Sequence, residues 1–387
     1  MRMNKRISDL HSEITEWRRD FHMHPELQYE VQRTARIVAE KLMEFGCDEV
    51  IIGVGRTGVV GLIRGSGEGG PVIGLRADMD ALPIIEATGK AYSSVTAGQM
   101  HACGHDGHTA MLLGAAKYLA ETRLFNGTVA VIFQPAEEGG GGAREMIRDG
   151  LMDRFNIREV YGMHNMPGMA AGTFAIRPGA IMAAADRFSI EIKGKGGHAA
   201  KPHSSIDPIL VGAHLVASAH AIVSRSINPL RSAVLSFGAF NSGLTDNVIP
   251  QAALLKGTVR TLEEDDRDLM ETRLGEVVEH TAKVFGATAN LNYLRDYPVT
   301  VNAEANAEYA ALAASNVTSS EAVNRNVEPV MGSEDFAFML RERPGAYIFI
   351  GAGDSAPLHH PEYDFNDEII PVGVNYWVEL AEGRLRI

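Results

Sequence analysis

The chain has 387 residues, 45% of them hydrophobic and 22% charged, and its 36 basic and 49 acidic residues give a net charge of −13. This length favours two domains, because single cores rarely grow beyond about 250–300 residues. The negative charge repels phosphate backbones and anionic lipids, so it argues against a binding surface for nucleic acid or membranes and favours a small-molecule partner. Two cysteines, Cys47 and Cys103, allow at most one disulfide, which excludes a disulfide scaffold and favours reduced thiols.

The first third of the chain alternates helical and strand patterns. Apolar spacing predicts helices in "ISDLHSEITEWRRDF" and "TARIVAEKLMEFG", with Pro25 stopping the first helix region and Gly46 ending the second. Short β-rich runs follow in "TGVVGLI", "VIGLRAD", "GTVAVIFQP" and "VYGMHN". Strands separated by helices predict an α/β domain with a mixed or parallel sheet. No segment approaches the length of a bilayer span, so we expect a cytoplasmic protein.

The pattern changes near residue 182. A strand, a long helix, two strands, an amphipathic helix and a last strand follow one another up to "ATANLNYLRDY". This βαββαβ order predicts a self-contained, ferredoxin-like α+β unit at 182–293. It interrupts a first domain built from 1–181 and 294–387, which regains the strand "AYIFIGAG".

Candidate metal ligands lie after predicted strands, after one loop and near the end of the chain. In α/β sheets functional groups gather in the loops after the carboxyl ends of strands. Each candidate alone has a plain structural explanation, such as a helix cap, a hydrogen-bonded core histidine or a charged helix start. Their joint occurrence predicts a metal site instead, because imidazole, thiolate and carboxylate are the usual ligands. The candidates are Asp78, Asp80, Cys103, His105, Glu137, Glu138, His164, His359 and His360.

Two adjacent carboxylates suggest the chemistry of this site. Glu137 and Glu138 directly follow the apolar run "VAVIFQPA". One carboxylate can bind a metal while its neighbour takes a proton from water, so the pair suits metal-assisted hydrolysis. The glycine run at 139–142 lacks the Lys-Ser/Thr of a phosphate loop, and we expect it to allow a close backbone approach to the site.

The motifs together resemble one known family. They are "ADMDALP", "HACGHDGH", "QPAEEG", "GMHN", "GKGGHAAKPH", "DNVIP" with "GTVRT", "GSEDFAF" and "LHHPEYDFND", in the family's order over nearly the whole chain. This set is similar to the M20 metallopeptidase superfamily. It most resembles the amidohydrolase branch, which includes hippurate hydrolases, N-acyl-amino-acid deacylases and plant auxin-conjugate hydrolases.

The resemblance implies a zinc-exopeptidase-like catalytic domain, an inserted domain that serves as lid and dimerisation domain, and a homodimer or higher homo-oligomer. It also implies two divalent ions per subunit, with Glu137 as general base and Asp80 as a carboxylate that orients a ligand. His359 is preferred over His360 because the family pattern is Leu-His-x-Pro, matched by 358–361. His101 and His108 fall outside the implied ligand set, which is Cys103, His105, Glu138, His164 and His359.

The chain departs from most of the superfamily at Asp78. Other members have His-x-Asp where this chain has Asp78-Met79-Asp80, and the amidohydrolase branch shares the substitution. A thiolate with imidazoles favours zinc, whereas a site with carboxylate also suits manganese, cobalt or nickel. The metal therefore stays open between these ions.

The implied reaction is hydrolysis of the amide of an N-acyl amino acid by metal-activated water, with Glu137 as base. The resemblance adds His198, delivered from a partner subunit, as a donor to the oxyanion. Asn247 and Arg260 would bind substrate, and an arginine can hold the product carboxylate bidentately. Without the resemblance, His198 is a surface histidine in a glycine-rich turn and Arg260 an exposed strand residue.

Two other functions stay open. One is a dipeptidase or carboxypeptidase of the same superfamily, since fold-level analogy does not determine the substrate. The other is a metal-dependent binding protein without catalysis. The presence of both Glu137 and Glu138 argues against the second, because a structural metal site needs no free base beside its ligands.

Overall fold

A computed structural model describes residues 4–386. Its strands, in chain order, are β1 Glu49–Val54, β2 Gly58–Arg64, β3 Gly67–Asp78, β4 Asn126–Gln134, β5 Ile157–Pro167, β6 Phe174–Ala175, β7 Gly179–Met182, β8 Ala184–Lys193, β9 Gly197–His198, β10 Ala233–Ser242, β11 Val248–Ile249, β12 Ala252–Thr261, β13 Thr288–Tyr297, β14 Thr300–Asn302, β15 Val323–Asn324 and β16 Gly345–Gly353.

The α-helices within the same residues are α1 Lys5–Asp9, α2 His11–Met23, α3 Gln32–Glu44, α4 His105–Thr122, α5 Gly142–Arg148, α6 Leu151–Arg154, α7 Pro208–Arg225, α8 Glu264–Val284, α9 Glu304–Val317, α10 Ala337–Glu342 and α11 Ile370–Arg384. The first predicted helix is divided at Leu10 into α1 and α2, and α2 ends before Pro25 as expected. Gly46 follows the end of α3 with φ +81°, which confirms its predicted role at the helix end.

An eight-stranded sheet in the order β1-β2-β4-β3-β5-β16-β6-β15 forms the centre of the first unit. Its middle strands β4, β3, β5 and β16 run parallel, whereas β1 and β2 are antiparallel at one side. The middle strands are almost continuously buried, as expected for parallel strands covered on both faces. The predicted α/β fold with a mixed sheet is confirmed.

Helix α4 carries the first candidate ligands. Nearly all of its residues are buried, from His105 to Ala120. Because α4 is buried on nearly all sides, it lies in the interior of the first unit, where it packs against β3, α2 and α11. This packing holds the start of the helix, and with it His105, in a defined place.

The chain divides into two compact units. The first consists of 1–181, 301–328 and 335–387, and the second of 182–300 and 329–334. The sequence boundary between 293 and 294 falls inside β13, which continues to Tyr297, so the second unit extends to Thr300. The first segment of the second unit thus ends seven residues after the boundary that the sequence predicts.

The second unit contains the βαββαβ order that the sequence predicts. Strands β10, β12, β8 and β13 form one antiparallel sheet in that spatial order. The core of the unit packs residues from these strands against α7 and α8. A short ladder between β9 and β11, which the sequence patterns did not predict, pairs His198 with Val248.

Helix α7 is long and apolar enough to cross a membrane by length and composition, with 18 residues and a mean hydropathy of 1.2. It is the one such helix within 4–386, and it corrects the expectation that no segment approaches that length. Its buried residues, among them Val211, Leu215 and Ile222, belong to the core of the second unit. One face of α7 therefore packs in the core of the second unit.

Candidate metal centre

The candidate ligands lie at one edge of the parallel part of the sheet. Asp78 ends β3 directly opposite Gln134, which ends β4, and His164 lies near the end of β5. Since parallel strands present their carboxyl ends at the same edge, the residues that follow them converge there. The sequence expectation of a site after these strands agrees with this placement.

The structure brings six of the predicted residues into one cluster. Their ligand atoms form overlapping triads, and within each triad all atoms lie within 4.8 Å of one another. One triad is Cys103, His105 and His164, and Cys103 also belongs to a second with Glu138 and His359. We call the whole set the metal cluster: Cys103, His105, Glu137, Glu138, His164 and His359.

Backbone carbonyls orient two histidines of the metal cluster. His105 Nδ1 lies 2.8 Å from the carbonyl oxygen of Asp80, and His164 Nδ1 lies 2.7 Å from that of Asn165. Since a carbonyl only accepts, each Nδ1 carries the proton and donates it. Such hydrogen bonds set the tautomer of metal-binding histidines. Burial lowers the pKa of His164 well below its ordinary value, so its neutral ring has the lone pair on Nε2, which lies 3.4 Å from Cys103 Sγ. Asp78 and Cys103 outweigh burial and raise the pKa of His105, so its Nε2 must lose a proton before it binds a metal.

The donor atoms present fit a divalent metal ion. Among residues 4–386, His105 Nε2 and Glu138 Oε1 are buried without a hydrogen-bond partner, although Glu138 Oε1 lies 3.3 Å from His359 Nε2 as an ion pair. Buried polar atoms of this kind are costly unless something binds them. A thiol, imidazoles and a carboxylate in one cluster match the ligands of zinc and of other divalent transition metals.

Metal binding by the cluster competes with protonation of its groups. Burial raises the pKa of the Cys103 thiol, which favours its neutral form. Hydrogen bonds to Cys103 and Glu138 raise the pKa of His359 to about 10, so His359 is protonated at neutral pH. Because ligands must lose their protons to bind a metal, a cation would replace these protons.

His359 and Ala136 have unusual backbone conformations. Their φ angles are +65° and +55°, in the left-handed region that residues with a side chain rarely adopt. The amide of His359 donates to the carbonyl of Ala102 at 2.8 Å, which ties it to the segment before Cys103. Ala136 precedes Glu137. Such outliers concentrate at functional sites.

Asp80 holds the two adjacent glutamates by their backbone. Its carboxylate accepts the N–H of Glu137 at 2.9 Å and the N–H of Glu138 at 3.0 Å. Burial raises the pKa of Asp80 above its ordinary value. These contacts give a physical basis to the prediction that Asp80 orients a ligand. Its side chain positions the backbone of Glu137 and Glu138, and its carbonyl positions His105.

Asp78 lies beside the cluster but both of its oxygens are engaged. Oδ1 accepts from His108 Nδ1 at 2.6 Å, and Oδ2 accepts from Arg76 Nη1 at 2.7 Å. Ligand atoms of Asp78, His105 and His108 also lie within 4.8 Å of one another, which makes them a geometric alternative for one ion. The buried guanidinium of Arg76 disfavours a cation there, because like charges repel strongly in the interior.

The two histidines outside the predicted ligand set differ. In His108 the second ring nitrogen, Nε2, lies 2.7 Å from Asn165 Oδ1, within hydrogen-bond distance. His101 is buried, and among residues 4–386 neither of its ring nitrogens has a hydrogen-bond partner. Burial lowers the pKa of His101 to about 3, so its ring is neutral.

Glycines allow close contacts on both sides of the cluster. Gly104, between Cys103 and His105, has φ +88°, and a Cβ there would lie 2.3 Å from Asn165 Oδ1. A Cβ on Gly142 would lie 1.7 Å from the carbonyl oxygen of Pro135. Within the glycine run, Gly142 therefore allows the backbone to pass close to Pro135, two residues before Glu137.

A buried charged group behind α4 was missed by the sequence analysis. His22 Nδ1 lies 2.8 Å from Asp106 Oδ2, and Arg18 Nη1 lies 3.6 Å from the same oxygen. Burial alone would lower the pKa of His22, but Asp106 and a hydrogen bond to Glu86 outweigh it and raise the pKa to about 9. Helical spacing of Arg18 and His22 on α2 was the only available signal. Their partner is 84 residues away from His22.

The second unit holds the three remaining predicted residues. His198 and Asn247 lie together at the β9–β11 ladder, where they line a groove of about 520 Å³. His198 Nδ1 accepts the N–H of Ala200 at 3.2 Å, so the neutral ring carries its proton on Nε2 and can donate it. Arg260, on β12, donates to Thr258 and to the carbonyl of Val259, and within 4–386 it has no ion-pair partner.

A mixed α/β sheet with a buried thiol, imidazole and carboxylate cluster at its carboxyl edge, and a second glutamate beside the ligands, defines a metal-dependent hydrolase. The model of peptidase family M20/M25/M40 matches residues 74–383. The chain belongs to this family, which confirms the resemblance of its motifs.

Several relatives match over nearly their whole length. A hippurate hydrolase of Campylobacter jejuni is 41% identical, covering 98% of this chain and 99% of the relative. An N-acetyl-L-cysteine deacetylase of Bacillus subtilis is 40% identical, covering 98% of this chain and 89% of the relative. A thermostable carboxypeptidase of Saccharolobus solfataricus is also 40% identical, covering 93% of this chain and 93% of the relative. The crystal structure of a dinuclear metal-binding M20 peptidase from Bacillus subtilis has a TM-score of 0.86 at 34% identity, covering 98% of this chain and 99% of that one.

Proposed function

We propose that this chain is a metal-dependent amidohydrolase that cleaves N-acyl amino acids of the hippurate or N-acetyl type into a carboxylic acid and a free amino acid. The observation that carries the proposal is the metal cluster, in which Glu137 lies beside Glu138 and within 4.8 Å of His105. Relatives named for hippurate hydrolysis and N-acetyl-L-cysteine deacetylation support this substrate class.

The ligands in this proposal are Cys103, His105, Glu138, His164 and His359, which hold two divalent ions per subunit. The dinuclear M20 neighbour supports the number of ions. The thiolate and imidazoles favour zinc, and the carboxylate leaves manganese, cobalt or nickel as substitutes. Bound ions supply a lowered pKa for the attacking water and polarise the acyl carbonyl.

Glu137 acts as general base. It accepts a proton from the attacking water and later delivers it to the leaving amine nitrogen. Its Oε1 accepts the N–H of Asp335 at 3.3 Å, and its own N–H donates to Asp80 Oδ1. Both its side chain and its backbone are therefore held in place, as a proton-transferring group requires.

The second unit supplies substrate contacts in this proposal. His198, with a donor at Nε2, stabilises the oxyanion, and it acts from a partner subunit in a homodimer. Arg260 binds the carboxylate of the amino acid. Its guanidinium is suited to this role because it has no ion-pair partner within the described residues. Asn247 contributes a polar contact beside His198. The unit 182–300 is then the lid and dimerisation domain of a cytoplasmic enzyme.

Peptide hydrolysis is the second candidate. The thermostable carboxypeptidase relative at 40% identity favours it, and the same metal cluster can cleave a peptide amide. The leaving group is an amino acid in both reactions, so only the acyl side separates them. A non-catalytic binding role accounts less well for Glu137, since a structural site needs no base beside its ligands.

The function is tested by turnover with matched substrates. The protein is stripped with a chelator, reloaded separately with zinc, manganese, cobalt or nickel, and assayed with N-benzoylglycine, N-acetyl amino acids and the dipeptide alanylglycine. We expect no turnover of the stripped protein, recovery with at least one ion, and kcat/KM at least about tenfold higher for an N-acyl amino acid than for the dipeptide. A preference for the dipeptide supports the peptidase, and turnover undiminished in protein verified to be metal-free contradicts metal-dependent hydrolysis.

A further inference from the structure

Asp335 contacts the segment that carries the two glutamates at three points. We call this segment, residues 134–143, the glutamate loop. Asp335 Oδ1 accepts from Gln134 Nε2 at 2.7 Å, where the loop begins, and Oδ2 accepts the N–H of Ala143 at 2.9 Å, where it ends. Between them, the N–H of Asp335 donates to Glu137 Oε1 at 3.3 Å.

A rigid frame holds Asp335 itself. Its side chain is fully buried, and Arg76 Nη2 donates to its Oδ1 at 3.0 Å. The same guanidinium donates through Nε to Gln134 Oε1 at 2.8 Å and through Nη1 to Asp78. Charge-assisted hydrogen bonds of this kind are stronger than neutral ones, so Asp335 is tied to the ends of both β3 and β4.

We propose that Asp335 is a positioning residue that holds the carboxylate of Glu137 where the reaction needs it. This inference rests on the proposed function, in which Glu137 is the base. Asp80 and Asp335 hold different parts of the loop. The carboxylate of Asp80 binds the backbone of Glu137 and Glu138. The backbone N–H of Asp335 donates to the side chain of Glu137, and the carboxylate of Asp335 closes the glutamate loop at both ends. A displacement of about 1 Å in such a group can lower the rate about 100-fold.

The first test is Asp335→Asn in the full-length, metal-loaded enzyme with N-benzoylglycine or the best N-acyl amino acid. Whichever way the asparagine amide turns, its NH2 group faces a donor, either the N–H of Ala143 or the donors of Gln134 and Arg76, so the loop loses at least one of its anchors. We expect kcat to fall about 100-fold with KM changed less than about threefold and with metal content retained. The proposal is overturned if the Asp335→Asn protein is folded and metal-loaded and its kcat stays within about threefold of the wild-type value.

A charge exchange separates positioning from folding. When Gln134→Glu is combined with Asp335→Asn, the introduced asparagine can donate to the new carboxylate and still accept from Ala143, and the carboxylate can accept from Arg76. We expect kcat of this double variant to be at least about tenfold higher than that of Asp335→Asn. If the single variant does not fold, we expect kcat of the double variant to reach at least about a tenth of the wild-type value. A folded, metal-loaded double variant that stays below about a hundredth contradicts the proposal.

Glu159→Gln is the matched control. Glu159 is also a carboxylate bound by an arginine, Arg384, and by a tyrosine, but it lies at the start of β5 away from the metal cluster. We expect its kcat to stay within about twofold of the wild type. An equal loss in both variants means that any weakened ion pair slows the enzyme, which overturns the specific role of Asp335. Wild-type turnover and its loss in Glu137→Ala, measured alongside, test the proposed function separately.

Discussion

Glu137→Ala is expected to lower kcat by about 10²- to 10⁴-fold, the range that general-base catalysis contributes. The metal content should stay unchanged, because the proposed ligand is Glu138 and the two side chains have different partners: Glu137 accepts from the amide of Asp335, and Glu138 faces His359. Steady-state kinetics with elemental analysis of the same sample measures both quantities.

Glu137→Gln is the sharper companion variant. The glutamine carbonyl can still accept the N–H of Asp335, so the geometry of the loop is retained while the proton acceptor is lost. We expect kcat to fall as far as in the alanine variant, to within about tenfold. Turnover close to the wild type in metal-loaded Glu137→Gln would show that another group takes the proton.

Cys103→Ala should lose most of its bound metal. Cys103 Sγ belongs to two of the triads in the metal cluster, so its removal takes a donor from both the His164 side and the Glu138 side. Groups that only orient ligands cost about 10- to 100-fold in metal affinity when removed, and we expect at least the upper end of that range for Cys103. Metal titration of the stripped variant by calorimetry gives the affinity directly.

Cys47→Ala is the control for this experiment. Cys47 is the other cysteine, half-buried and free, and burial raises the pKa of its thiol to about 12. It packs at the edge of the core of the first unit and does not belong to the metal cluster. Its replacement should leave metal affinity within about twofold. Full retention of metal by Cys103→Ala contradicts the ligand assignment.

Patterns within short segments predicted much of the architecture. The parallel strands and the βαββαβ unit follow from alternating and helical apolar periods, which are local properties of the chain. The position of the metal cluster follows from one further rule, that loops after parallel strands meet at one edge. Glu138 and His164 could be placed at this edge by the rule, because they follow β4 and lie near the end of β5. Cys103 and His105 come after a long loop, and the family resemblance added them to the ligand set.

The supporting contacts were beyond the reach of such patterns. Asp335 reaches Glu137 across 198 positions of sequence, and Arg76 reaches Asp335 across 259. In the sequence, Arg76 is an ordinary charged residue within the apolar run "VIGLRAD". Hydrogen bonds to backbone carbonyls also select the tautomer of His105, and these leave no trace in residue types. Local periodicity carries no information on pairings of this kind.

The proposed reaction requires two divalent ions in the metal cluster. Anomalous diffraction from crystals of the reloaded enzyme, collected above and below the absorption edge of the added ion, locates these ions. We expect two anomalous peaks per chain, with Cys103, His105, Glu138, His164 and His359 as the protein ligands, at about 2.0–2.3 Å for zinc. A single ion bound by Asp78, His105 and His108, or peaks only outside the metal cluster, would contradict this expectation.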